Sequence, residues 1–167
     1  MSESSDIVRY LDKQYPLSPR VITPGTLAFE TAYYNYFIAN VWLGLLRCIH
    51  LYLYETVSPE SATFLKELRE AAFGNTLVNI AKDPQPQWDA YKEVYGSVVL
   101  SIYDKAEGDF LKGNEPGWAD FVTASWTLFI KLLYVAGSKE WKYAEAWHNG
   151  RLTKLINDLE PYAHIDE

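Results

Sequence analysis

Apolar residues recur at three- and four-residue steps through most of the chain. Ile38, Val41, Trp42, Leu45, Ile49 and Leu53 form one such series, and Trp88, Tyr91, Val94, Tyr95, Val98 and Ile102 another. That period places them on one face of an α-helix. No alternation of period two persists, so strands are not expected. Glycine and proline divide the helical stretches. A first helix is expected from Ser4 or Ser5, with a hydroxyl as cap and Asp6 in its first turn, to just before Pro16. Pro16, Pro19, Pro24 and Gly25 then predict an extended connection over residues 16–25. A long helix follows from about Thr26 to Val57, with apolar residues on several faces, as for a surrounded central helix.

Ser58-Pro59-Glu60 is a second start signal, with proline at the first helical position. Phe64, Leu65 and Leu68 carry that helix to a break at Gly74, and a shorter helix spans Asn75 to Ala81. Another runs from Pro86 to Ala106. The turn Gly113-Asn114-Glu115-Pro116-Gly117 precedes a strongly apolar helix from Trp118 to Val135, closed by Gly137. Ser138 opens a helix holding Trp141 and Trp147, Gly150 interrupts, and Leu152, Leu155, Ile156 and Leu159 form the last amphipathic stretch. The pattern predicts an all-α bundle of about six to eight helices.

Composition narrows the function classes. The 167 residues suffice for one domain with a real core. Aromatic residues make up 16% of the chain, and such side chains fill helix interfaces or line pockets for apolar ligands. A net charge of −7 with no basic run argues against nucleic acid as a partner. The longest uncharged stretch, Thr31 to Leu46, is shorter than the roughly 20 apolar residues of a membrane span, and it carries Asn35, Asn40 and three tyrosines. One cysteine, Cys48, and an N-terminus with neither basic nor apolar leader character fit a cytoplasmic protein.

Candidate chemistry is sparse. His50, His148 and His164 have no metal-ligand spacing, so no metal is expected, and Cys48 and His50 point to different faces of one helix. No glycine-rich phosphate loop is present. Lys66, Glu67, Arg69 and Glu70 read as a solvated helix face. Asp120 stands out. A carboxylate three residues into an otherwise apolar helix is expected to turn back on the amides of the preceding loop as a cap.

This block carries a resemblance. Phe110-Leu111-Lys112-Gly113-Asn114-Glu115-Pro116-Gly117-Trp118-Ala119-Asp120-Phe121 is similar to the segment of glutathione S-transferases in which a turn and Ser/Thr-x-x-Asp open the central helix of the C-terminal domain. Gly117 replaces the capping hydroxyl, so a weaker helix start is expected. Ser4-Ser5-Asp6-Ile7-Val8-Arg9-Tyr10-Leu11 through Tyr15-Pro16 resembles the last helix of that family's thioredoxin-like domain. The stretch Phe64 to Leu77 and the tail from Glu140-Trp141 to Arg151 resemble the fungal etherase-related transferases.

The resemblance implies residues 1–15 as the last helix of a truncated thioredoxin-like domain, 16–25 as linker and 26–167 as the all-helical domain. It puts Glu3 and Ser4 at the γ-glutamyl end of glutathione as co-substrate. It makes Tyr33, Tyr34, Phe37 and Ile38 the lining of a hydrophobic substrate pocket. It provides no catalytic residue here, because the family's activating residue lies in the thioredoxin-like half. A parent enzyme that transfers glutathione to an aromatic electrophile, or cleaves one with it, in detoxification is the first expectation. Small hydrophobic aromatic ligands would be its partners, and a homodimer is left open. A non-catalytic helical module that binds apolar ligands or a protein is the second. Without the thioredoxin-like half, an uncovered interdomain surface that self-associates or binds hydrophobic dyes is expected.

Overall fold

The computed structural model describes residues 3–81, 83–134 and 137–163, without the side chains of His50, Leu51 and Ala81. His164 and the junction of Val135 with Ala136 therefore lie outside the described residues. Helices α1 (Ser4–Gln14), α2 (Leu27–Phe37), α3 (Leu43–Thr56), α4 (Pro59–Phe73), α5 (Leu77–Ala81), α6 (Gln85–Tyr95), α7 (Ser101–Tyr103), α8 (Trp118–Leu133), α9 (Lys139–Glu145) and α10 (Arg151–Leu159) follow in order, with no strand among the described residues. The fold is all-α.

Two of the long helices contain π-helical turns. Ile38–Trp42 joins α2 to α3, and Gly96–Leu100 joins α6 to α7, so residues 27–56 and 85–103 each run on as one helix. An extra residue per turn rotates the helix face beyond it. Ahead of the first π turn, Tyr33 and Phe37 point inward, and beyond it Leu45, Leu46 and Ile49 do. The core lies where α2–α3, α6 and α8 meet, around Phe37, Tyr91, Tyr95, Val99 and Ile130. Its aromatic rings meet largely edge to face. Phe37 and Tyr95 have centroids 6.2 Å apart, Tyr91 and Trp147 5.6 Å. This geometry suits the ring quadrupoles.

Several element ends follow the punctuation. Ser58 Oγ accepts the Ser61 N–H at 3.3 Å with Pro59 at the first helical position, and Ser138 Oγ accepts the Trp141 N–H at 3.1 Å. Gly74 takes a left-handed φ of 62° and closes α4. Other ends differ. The cap of α1 is Glu3, not Ser4 or Ser5, and its side chain makes no capping hydrogen bond. Helix α8 stops at Leu133, because Tyr134 is already extended (φ −103°, ψ 110°), three residues before Gly137. The Tyr134 hydroxyl donates to the Cys48 carbonyl at 3.1 Å, which draws that residue toward α3. The break near Gly150 is sharper than one glycine makes: His148, Asn149 and Gly150 are all left-handed. Helix α1 buries no residue, and Ile7, Tyr10 and Leu11 remain exposed.

Candidate functional site

The start of α8 organises one end of the bundle. Asp120 is fully buried, and its carboxylate receives three hydrogen bonds: from the Gly117 N–H (2.8 Å), the Leu111 N–H (3.0 Å) and the Tyr103 hydroxyl (2.8 Å). It thus binds the loop before α8 and the end of α7 to the first turn of α8. Glycine at 117 has no hydroxyl to return the bond. The acceptor comes instead from α2. Glu30 is 1% exposed, and its Oε2 accepts the Ala119 N–H at 2.8 Å. A Cβ on Gly117 would lie 2.9 Å from Glu30 Oε1, so the carboxylate fills the space a capping side chain would take. The expected weakness of this helix start is therefore offset by a carboxylate 89 residues away in sequence.

Burial raises the pKa of Glu30, while its bond from Ala119 and the charge of Lys112 pull the other way. A carboxyl raised in the folded state contributes its full stability below the ordinary glutamate value of 4.5, and loses it as pH rises through the raised value. Glu30→Gln keeps an acceptor for Ala119 without the charge. The stability of Glu30→Gln relative to wild type is expected to climb as pH rises from about 4.5. Urea unfolding at a series of pH values checks this; a difference that does not vary with pH contradicts it.

Beside this start, α1, α2 and α8 enclose a groove of about 400 Å³. Trp118, Phe121, Val122, Ser125 and Trp126 come from α8, where three- and four-residue spacing puts them on one face. Tyr34 and Ile38, also four apart, form the opposite wall, and Ser4 closes one end. The Tyr34 and Trp118 rings lie 6.5 Å apart, and Trp126 packs edge-on to Trp42 at 4.7 Å. Among the described residues, no lining side chain is charged.

The four expected lining residues divide into two pairs. Tyr34 and Ile38 line the groove, whereas Tyr33 and Phe37 are turned into the core and do not reach it. Tyr33 shares a 2.5 Å hydrogen bond with the Thr123 hydroxyl, and Phe37 is fully enclosed between Tyr95 and Trp126. Of the two terminal residues, Ser4 reaches the groove and Glu3 is exposed at the start of α1. The α8 wall was missed by sequence reasoning, although Trp118, Phe121/Val122 and Ser125/Trp126 already show the spacing of a face.

Among the described residues, a groove of about 380 Å³ lies between α8 and α10 and shares Phe121 and Ser125 with the first, and another of about 420 Å³ lies between α3 and α6.

Burial pushes the Cys48 thiol up to about 12, so it stays protonated and inert. Among the described residues, no group of three His, Cys, Asp or Glu side chains could hold a metal ion. No helix among them is long and apolar enough to cross a membrane.

Residues 28–162 match the family model described as glutathione S-transferase, C-terminal domain. The chain belongs to the glutathione S-transferase family. Its fold is similar to solved members. A glutathione S-transferase of Ceriporiopsis subvermispora in complex with glutathione is 27% identical with a TM-score of 0.86, over 99% of this chain and 68% of that one. A second from the same organism, also in complex with glutathione, is 26% identical with a TM-score of 0.84, over 96% and 66%. A glutathione transferase of Phanerochaete chrysosporium, 24% identical with a TM-score of 0.83 over 99% and 66%, shares the fold. The chain thus spans about two thirds of the length of these transferases. No curated protein matches it.

Proposed function

We propose that these residues form the hydrophobic-substrate half of a glutathione S-transferase, one that joins glutathione to an aromatic, uncharged electrophile or uses it to cleave one. The observation that carries this reading is the single groove shared by Ser4, Tyr34, Ile38 and the aromatic wall of α8. Apolar walls with a few hydroxyls suit a flat aromatic ligand. The absence of charge from the lining disfavours an ionised one, since its lost hydration would go unreplaced. In this reading residues 1–15 are the last helix of a thioredoxin-like domain, 16–25 the linker and 26–167 the helical domain. Glu3 and Ser4 meet the γ-glutamyl end of glutathione, where a carboxylate and a hydroxyl suit its ammonium and carboxylate groups. The exposed apolar residues Ile7, Tyr10, Leu11, Leu128 and Leu132 supply a face for the domain that carries the activating residue. The enzyme works in the cytoplasm.

Two polar contacts at a chain terminus cannot offset the entropy of ordering both tripeptide and terminus. Glutathione alone is therefore expected to bind the 167-residue chain weakly, with Kd above about 1 mM. An S-aryl glutathione conjugate places its ring in the groove and should bind at least tenfold tighter, which is about 1.4 kcal/mol. It should also quench Trp118 and Trp126. Tryptophan fluorescence titration with both ligands decides the matter, and equal affinity for the two contradicts the reading.

A further inference from the structure

The connection between α1 and α2 has little structure of its own. It contains Pro16, Pro19 and Pro24, Leu17 is fully exposed, and its internal backbone bonds are Ser18 N–H to the Tyr15 carbonyl and Thr26 N–H to the Thr23 carbonyl. Two side chains from outside it fix its course. Asp12 of α1 accepts the Val21 N–H at 3.2 Å and the Ile22 N–H at 2.9 Å. Lys112, in the loop before α8, donates from Nζ to Thr23 Oγ1 at 2.6 Å. The anchored residues are consecutive, so α1 and the loop before α8 both hold one short stretch.

Lys112 reaches that stretch by way of Gly117. A Cβ on Gly117 would lie 2.4 Å from Lys112 Cε and 3.0 Å from its Nζ. Any larger side chain, a capping serine included, would have to displace the lysine. The same point is 2.9 Å from Glu30 Oε1, so a carboxylate borders the passage.

We infer that Lys112 is a positioning residue: threaded through the slot left by Gly117, it latches the 21–23 stretch to the start of α8 and so sets where α1 and Ser4 stand. Gly117, Glu30 and Lys112 then form one arrangement. The glycine opens the slot, the glutamate supplies the cap acceptor that the glycine lacks, and the lysine uses the slot as a clasp. The inference concerns how α1 is held and does not depend on the proposed transferase reaction.

Native-state amide exchange by NMR on the 167-residue chain tests it, with Lys112→Met, Thr23→Val, their combination, and Gly117→Ser. In Lys112→Met and in Thr23→Val, the Val21 and Ile22 amides should exchange at least tenfold faster while interior amides of α8 keep their protection. The combination should do no more than either single change, because both remove one contact. Gly117→Ser should loosen the same two amides even though it adds a cap hydroxyl to α8. Unchanged Val21 and Ile22 amides in Lys112→Met overturn the inference. So does an equal loss of protection at Val21, Ile22 and the α8 interior, which would make Lys112 a general stabiliser. Independent, multiplying effects of Lys112→Met and Thr23→Val would overturn it too.

Discussion

Asp120→Ala is expected to cost about 3–5 kcal/mol of stability, among the largest losses from any single substitution in this chain. The change leaves three donors without an acceptor: the Gly117 and Leu111 amides and the Tyr103 hydroxyl. Tyr103 and Gly117 are both buried, so water does not replace the bonds freely. Each stranded buried donor costs about 1–3 kcal/mol, and the sum is less than additive because the loop relaxes. Asp120→Asn keeps one carbonyl oxygen but turns an NH2 group toward an N–H or O–H donor, so it should lose somewhat less. Glu30→Ala removes one bond from Ala119, and also a buried charge whose burial is itself unfavourable. Its cost should stay near 1–2 kcal/mol. Urea or guanidinium unfolding measures all three, with midpoints that shift at constant slope. A loss below 1 kcal/mol for Asp120→Ala would mean that the loop before α8 does not depend on this carboxylate.

Phe37→Ala and Ile38→Ala are neighbours in sequence and should behave oppositely. Phe37 is fully buried between Tyr95 and Trp126, so its truncation opens a cavity and should cost about 3–5 kcal/mol. Tyr33→Ser adds the loss of the buried bond to Thr123, and the pair Tyr33→Ser with Phe37→Ser is expected to leave the chain unfolded. Ile38 and Tyr34 are half-buried on the groove wall, so alanine at either should cost about 1 kcal/mol or less. Those two changes should instead weaken binding of an aromatic probe. Thermal unfolding together with probe titration on the four single variants separates the roles. A stable Phe37→Ala chain with reduced probe affinity would return Phe37 to the groove.

That division explains what the sequence could and could not reveal. Tyr33, Tyr34, Phe37 and Ile38 fall on adjacent strips of one helix, because a period of 3.6 places i, i+1, i+4 and i+5 side by side. Which strip faces a cavity depends on where α8 lies, and nothing local to residues 33–38 encodes that. The π turn at Ile38–Trp42 is hidden for a related reason. Its flanking dihedrals at Phe37 and Leu43 are ordinary α values, so no glycine or proline has to mark it. By contrast, Ser58, Pro59, Gly74 and Ser138 act on amides within three residues of themselves or on their own φ, and their effect was legible. Gly117 looks like a weak cap in the sequence because its compensation, Glu30, comes from another helix. The sequence points to a later end for α8 because Gly137 is the visible breaker, while the Tyr134 bond to the Cys48 carbonyl is a tertiary contact.

The most direct test of the account is to map where a glutathione conjugate bearing an uncharged S-aryl ring sits on the 167-residue chain, by NMR shifts of the backbone amides and indole N–H groups. The largest changes should cluster at Ser4, Tyr34, Ile38, Phe121 and Ser125 and at the indoles of Trp118 and Trp126. Changes centred on Leu128, Ile156 and Tyr162, or on Leu43, Tyr91 and Val94, would place the ligand in one of the other two grooves and contradict the proposed substrate half.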